Sequence, residues 1–225
     1  MIGVFDSGIG GLAAFKEIRT LLPRENIIYL ADRKNAPYGT KNEDEITKLC
    51  TKNIRKLRDM GAEKILIACC TASGVYQNLS ADDKQISIPI ITPTAQEVVN
   101  FSKRIAVIAT ERTVSSHYFS REIAKYSSAE VKEFAMQRLV YLVENGCHDG
   151  HLTTECQHII EDIQRLVYSF GADSLILGCT HFSHLEGELQ ALMPEIKIFS
   201  PAKIGAQKIV NEIQPHRESG RVIYT

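Results

Sequence analysis

The chain has almost no excess charge of either sign. Its 26 Lys+Arg stand against 27 Asp+Glu, a net charge of −1 over 225 residues. That leaves no basic field for a nucleic-acid backbone, so a nucleic-acid partner is not expected. No apolar run approaches the roughly 20 residues that span a bilayer, which argues against a membrane role. The opening Met1-Ile2-Gly3-Val4-Phe5-Asp6 has neither the charged start nor the long apolar stretch of an export signal, so a cytoplasmic location is expected. Six cysteines, at positions 50, 69, 70, 147, 156 and 179, contain no CxxC spacing. This disfavours zinc-ribbon and thioredoxin-like arrangements and leaves reduced thiols as the expectation. No linker or low-complexity segment divides the sequence. No GK[ST] follows Gly8, Gly10 and Gly11, so these glycines read as a tight strand-to-helix turn rather than a phosphate loop.

Hydrophobic residues make up 44% and charged residues 24% of the chain, enough to bury a sizeable core. Short β-branched runs alternate with amphipathic stretches. Strands are expected at Ile2–Phe5, Asn26–Leu30, Lys64–Ala68, Ile88–Ile91, Ile105–Ala109, Val131–Phe134, Ser174–Leu177 and Ile196–Phe199, with a weaker one at Val222–Tyr224. Between them, Leu12/Phe15/Ile18/Leu21 and Ile46/Leu49/Ile54/Leu57 recur at helical spacing. Nearly all-apolar strands alternating with helices imply an α/β fold with doubly wound parallel sheets.

One internal echo bears on organisation. Lys64-Ile-Leu-Ile-Ala-Cys69-Cys70-Thr71 resembles Ser174-Leu-Ile-Leu-Gly-Cys179-Thr180, and Ile2-Gly-Val-Phe-Asp6 resembles Ile105-Ala-Val-Ile-Ala-Thr110. Two similar domains with the active site in the cleft between them are therefore expected. The first spans 1–92 and is completed by 201–225; the second spans 93–200. Ile91-Thr-Pro-Thr-Ala95 is the expected boundary, where Pro93 biases its neighbour away from helix.

Ligands of open parallel sheets bind beyond the carboxyl ends of the strands. Asp6-Ser7-Gly8, Cys69-Cys70-Thr71, Thr110 and Cys179-Thr180-His181 all fall there. Two thiols in matching contexts of facing halves can sit on opposite sides of one small carboxylate substrate. Such a pair suits removal and return of a weakly acidic α-proton, one face to each sulfur, with a nearby carboxylate or imidazole relaying protons. Cys50 and Cys156 lie on helical patterns and read as packing residues. Successive residues at a strand-to-helix junction point in different directions, so Cys69 and Cys70 are not expected to face the same atom.

Val4-Phe-Asp6-Ser7-Gly8-Ile-Gly-Gly11, Ala36-Pro37-Tyr38-Gly39-Thr40-Lys41, Ala68-Cys69-Cys70-Thr71-Ala72-Ser73 and Leu177-Gly178-Cys179-Thr180-His181, in this order and over nearly the whole chain, resemble the glutamate racemase family. The resemblance implies cofactor-independent interconversion of L- and D-glutamate, supplying D-glutamate for peptidoglycan, by a cytoplasmic homodimer that needs no metal. It makes Cys69 and Cys179 the two acid/base residues, the first serving the D-enantiomer and the second the L-enantiomer. Asp6 would assist Cys69, and His181 and Glu144 would assist Cys179. Substrate contacts would come from Asp6, Ser7, Tyr38, Gly39, Cys70, Thr71, Thr180 and His181, with Thr110 and Thr113 from a Thr-x-x-Thr turn.

Two departures from the family pattern stand out. Cys70 occupies a position usually held by Asn, and the sequence stops at Thr225, where a further helix often follows. Racemisation of another acidic amino acid, such as aspartate, is the neighbouring alternative; His181 favours glutamate, because aspartate relatives more often carry a glutamate there. A different class of reading is a metal-binding module, since Cys147, His148, His151, Cys156 and His158 crowd together in the sequence without matching a common zinc spacing.

Overall fold

The computed structural model describes residues 1–147, 150–213 and 220–225. Nine strands run through them: β1 (Ile2–Asp6), β2 (Ile27–Ala31), β3 (Lys64–Ile67), β4 (Ser87–Pro89), β5 (Arg104–Ala109), β6 (Glu130–Ala135), β7 (Ser174–Gly178), β8 (Lys197–Phe199) and β9 (Val222–Tyr224). They form two wholly parallel sheets, ordered β4-β3-β1-β2-β9 and β6-β5-β7-β8. The central strands β1 and β7 are buried along their whole length, which is why their sequences are apolar runs rather than alternations. The edge strand β6 is only partly buried and carries Glu130, Lys132 and Glu133, charges that discourage pairing with another chain.

Read from the opposite edge, the second sheet runs β8-β7-β5-β6, the same winding as β4-β3-β1-β2 in the first. The echo in the sequence is thus an echo in topology. β1 corresponds to β5 and β3 to β7, so Asp6 matches Thr110 and Cys69 matches Cys179. In each sheet the winding reverses between the corresponding pair of strands, and the crevice above that reversal is where doubly wound sheets hold ligands.

The helices are stopped and started by local chemistry. Asn42 caps helix Glu43–Asp59 by accepting from Glu45 N at 2.9 Å, and Thr153 caps helix Thr154–Phe170 by accepting from Cys156 N at 3.2 Å. After β8 the chain forms helix Pro201–Glu212, which packs against helices Leu12–Leu21 and Ile91–Val98. β9 then pairs in parallel with β2, Ile27 opposite Val222, returning the chain to the first sheet.

The strand expected at Ile88–Ile91 and the bias against helix expected beside Pro93 need correction. β4 ends at Pro89, and Ile91 opens a helix that runs through Pro93. Pro93 is the third residue of that helix, within the first turn, where a missing N–H removes no intrahelical bond. Among the described residues, no helix is long and apolar enough to cross a membrane.

Candidate active site

Four strand ends converge on one enclosed cavity. Asp6 ends β1 and Ser7 follows it, Cys69-Cys70-Thr71 follows β3, Thr110 follows β5 and Cys179-Thr180-His181 follows β7; all these residues are buried, and all but Asp6 line the cavity. The cavity they enclose measures about 20 Å³, little more than one water requires. Both sulfurs line it, at 5% exposure for Cys69 and 6% for Cys179.

Each sulfur has its own polar neighbour. Cys69 Sγ lies 3.5 Å from Ser7 Oγ. Cys179 Sγ lies 3.5 Å from His181 Nδ1, and His181 Nε2 lies 3.0 Å from Glu144 Oε1. Glu144 closes helix Gln137–Glu144, with its side chain 37% exposed.

The two ends differ electrostatically. Burial pushes the Cys69 thiol up to about 12, with the Asp6 carboxylate adding to the effect against the hydrogen bond from Ser7. That sulfur is held as a neutral thiol. Burial opposes a charged His181, but the Cys179 sulfur, Glu144 and Asp6 outweigh it and raise the imidazole to about 10. Its hydrogen bond with His181 in turn lowers Glu144, against partial desolvation. His181 is therefore an imidazolium near neutral pH, placed between the Glu144 carboxylate and the Cys179 side chain.

Asp6 does not hydrogen-bond Cys69. Its Oδ2 accepts from Gly8 N at 3.0 Å and its Oδ1 from Thr180 Oγ1 at 3.4 Å, which ties the first strand end to the fourth. That approach needs a glycine at position 10, where a Cβ would lie 2.4 Å from Thr180 Oγ1. Thr71, Thr110 and Thr113 share a buried triangle of hydroxyl contacts at 3.0–3.2 Å, joining the end of β3 to the turn after β5. Tyr38 and Gly39 lie in a short 3₁₀ turn and also line the cavity. Cys70 is buried, its thiol pushed well up by desolvation, and it lines the same cavity as Cys69. The Ser7 contact is what distinguishes Cys69 from its neighbour.

Sequence reading missed several contributors. Gln137 and Val140 line the cavity beside Glu144, and their i, i+3, i+7 spacing was a usable signal. Asp32 accepts from Tyr38 Oη at 2.6 Å, from Asn53 Nδ2 at 3.1 Å and from Asn35 Nδ2 at 2.8 Å, fixing the tyrosine from behind. These hydrogen bonds overcome desolvation and lower Asp32. The cysteine/histidine cluster reads differently: Cys147 and Cys156 are buried whereas His151 and His158 are exposed, and His148 lies outside the described residues. Among the described residues no three such side chains gather around a metal position.

Comparison with known proteins gives this geometry a family. Residues 2–209 match the model of the Asp/Glu/Hydantoin racemase family. A glutamate racemase of Desulforudis audaxviator (strain MP104C) is 36% identical over 206 residues, covering 89% of this chain and 74% of the relative. That of Aquifex aeolicus (strain VF5) is 30% identical over 227 residues, covering 99% and 87% respectively. The crystal structure of glutamate racemase from Francisella tularensis subsp. tularensis SCHU S4 in complex with D-glutamate superimposes with a TM-score of 0.87 at 27% identity, over 99% of this chain and 86% of that one. The chain belongs to the Asp/Glu/hydantoin racemase family and is an amino-acid racemase, an isomerase.

Proposed function

We propose that the protein interconverts L- and D-glutamate without a cofactor, using Cys69 and Cys179 as its two acid/base groups. The observation that carries this reading is the pair of thiols at equivalent strand ends, lining one cavity, each with a separate polar partner. Cys179, paired with the imidazolium of His181, takes the α-proton of L-glutamate. Cys69, a neutral thiol, gives its proton to the opposite face, and D-glutamate forms. Cys179 ends as the thiol and Cys69 as the thiolate, so the same steps run backwards convert D- to L-glutamate. Between like turnovers one proton must leave Cys179 and one must reach Cys69.

The surroundings supply what a carbanion-like transition state needs. Around a bound substrate, hydroxyls, backbone N–H groups and the imidazolium would meet the developing charge. Asp6, Ser7, Tyr38, Gly39, Cys70, Thr71, Thr110, Thr113, Thr180 and His181 hold the substrate, and the cavity widens to admit it. The working units are residues 1–92 with 201–225 and residues 93–200, which contribute one thiol each. In the cell this activity would supply D-glutamate to peptidoglycan synthesis, from a cytoplasmic homodimer.

The test is to incubate chelator-treated protein with L-glutamate, D-glutamate and each enantiomer of aspartate, then separate the enantiomers. Convergence of both glutamate reactions on an equal mixture is expected. Turnover of aspartate alone, or of neither, refutes the reading.

A further inference from the structure

Helix Gln137–Glu144 lays one face along the cavity: Gln137 at its start, Val140 in the middle and Glu144 at its end. At 1.5 Å per residue the two ends of that face stand about 10 Å apart. They differ in character. The Glu144 end carries a carboxylate joined to His181. The Gln137 end lies against Gly39 and Thr110: a Cβ on Gly39 would stand 3.0 Å from both Gln137 Oε1 and Thr110 Cβ.

The Gln137 amide is held one way round. Its Oε1 accepts from Glu111 N at 3.3 Å, and a backbone N–H can only donate. That leaves Nε2, with two N–H donors, without an acceptor among the described residues. No lysine or arginine lines the cavity, so an incoming carboxylate depends on neutral donors and the imidazolium. Most hydroxyls there are already engaged: Ser7 with Cys69, Thr180 with Asp6, Tyr38 with Asp32, and the threonines with one another. Gln137 is the one side-chain amide in the lining.

We propose that Gln137 is a substrate-binding and specificity-determining residue whose Nε2 donates to the side-chain carboxylate of the acidic amino acid. This inference rests on the glutamate reading above and fixes the substrate's direction. The side-chain carboxylate lies toward Gln137, Gly39 and Thr110, away from the Glu144 charge, and the α-carbon lies toward the sulfurs. An amide donor with no matching cation favours a carboxylate side chain by hydrogen bonding and leaves its length to be set by the span of the helix face.

Two variants of the full chain separate this role from a structural one. Gln137→Glu keeps an oxygen to accept from Glu111 N but has no donor and adds a negative charge; Gln137→Met removes both functions at similar size. Initial rates in both directions should show KM for glutamate raised at least roughly tenfold in each, most in Gln137→Glu, with kcat changed far less. A Gln137→Glu enzyme with wild-type KM overturns the proposal, whether Gln137→Met is impaired, as a purely structural role requires, or unaffected. If Gln137→Met does not fold, Gln137→Glu alone decides. Wild-type protein that does not racemise glutamate refutes the underlying reading, whereas wild-type turnover with an unchanged KM in Gln137→Glu refutes only the role of Gln137.

Discussion

His181 Nε2 meets Glu144 Oε1 at 3.0 Å, so a residue just past the end of β7 is joined to the last turn of helix Gln137–Glu144. The other ring nitrogen faces Cys179. Cys69 has no equivalent chain; its neighbour is the hydroxyl of Ser7. Two sulfurs in matching topological positions thus sit in unlike electrostatic surroundings, and the two faces of a substrate between them would meet different groups.

Unequal surroundings should give unequal kinetics. Glu144→Gln and His181→Asn should lower the turnover of L-glutamate more than that of D-glutamate, by roughly tenfold or more, the scale of a positioned acid/base partner. The equilibrium constant is fixed, so the asymmetry must appear in kcat and KM separately. Initial rates in both directions, followed by optical rotation or circular dichroism, check it. Equal losses of turnover in the two directions would contradict the assignment of His181 to one thiol.

The same pair predicts a pH dependence of stability. His181 is raised to about 10 in the folded protein, above its ordinary value near 6.5. The folded state therefore holds a proton that the unfolded chain gives up. The contribution is complete below about pH 6.5 and is lost as pH rises through about 10. Melting temperatures should fall between pH 7 and 10, and fall less steeply in His181→Asn.

Gly10→Ala should damage the site out of proportion to its size. The added Cβ would press on Thr180 Oγ1 at 2.4 Å and on His181 N at 2.9 Å, in the two residues that follow Cys179. A loss of about 1–3 kcal/mol in stability and a large loss of turnover are expected. Gly187→Ala is the control: nothing lies within 4 Å of a Cβ there, inside helix Glu186–Leu192. It should be neutral or slightly stabilising by denaturant titration.

Cys70→Asn should be tolerated. The thiol is buried and neutral, a weak donor and acceptor, whereas an amide offers both functions to a charged substrate. KM for glutamate should be no higher than in the wild type. Abolished activity in a folded Cys70→Asn protein would give Cys70 a chemical role of its own.

Much of this was legible in the sequence because buried parallel strands write themselves as short apolar runs. All nine strands lie where strands were expected, including the weak one at Val222–Tyr224, although the edge strand β6 carries three charges and is only partly buried. The thiols, Asp6 and Thr110 were legible because they end such runs. Ile91 misled because an isoleucine reads equally as the last residue of a strand or the first of a helix, and Pro93 is harmless in a first turn. Gln137 and the Asp32–Asn53 support of Tyr38 were not read, since their importance comes from which residues the two sheets bring together. The His181–Glu144 contact at 3.0 Å joins residues far apart in the chain, and only the fold supplies the distance.

The central claim, one thiol for each face, is tested most directly by α-hydrogen exchange in deuterated water with the single variants Cys69→Ser and Cys179→Ser. Each should lose racemisation while keeping one working thiol. Cys69→Ser, retaining Cys179, should wash deuterium into L-glutamate and leave D-glutamate unlabelled; Cys179→Ser, retaining Cys69, should do the reverse. A folded variant that racemises at the wild-type rate, or that labels both enantiomers alike, would contradict it.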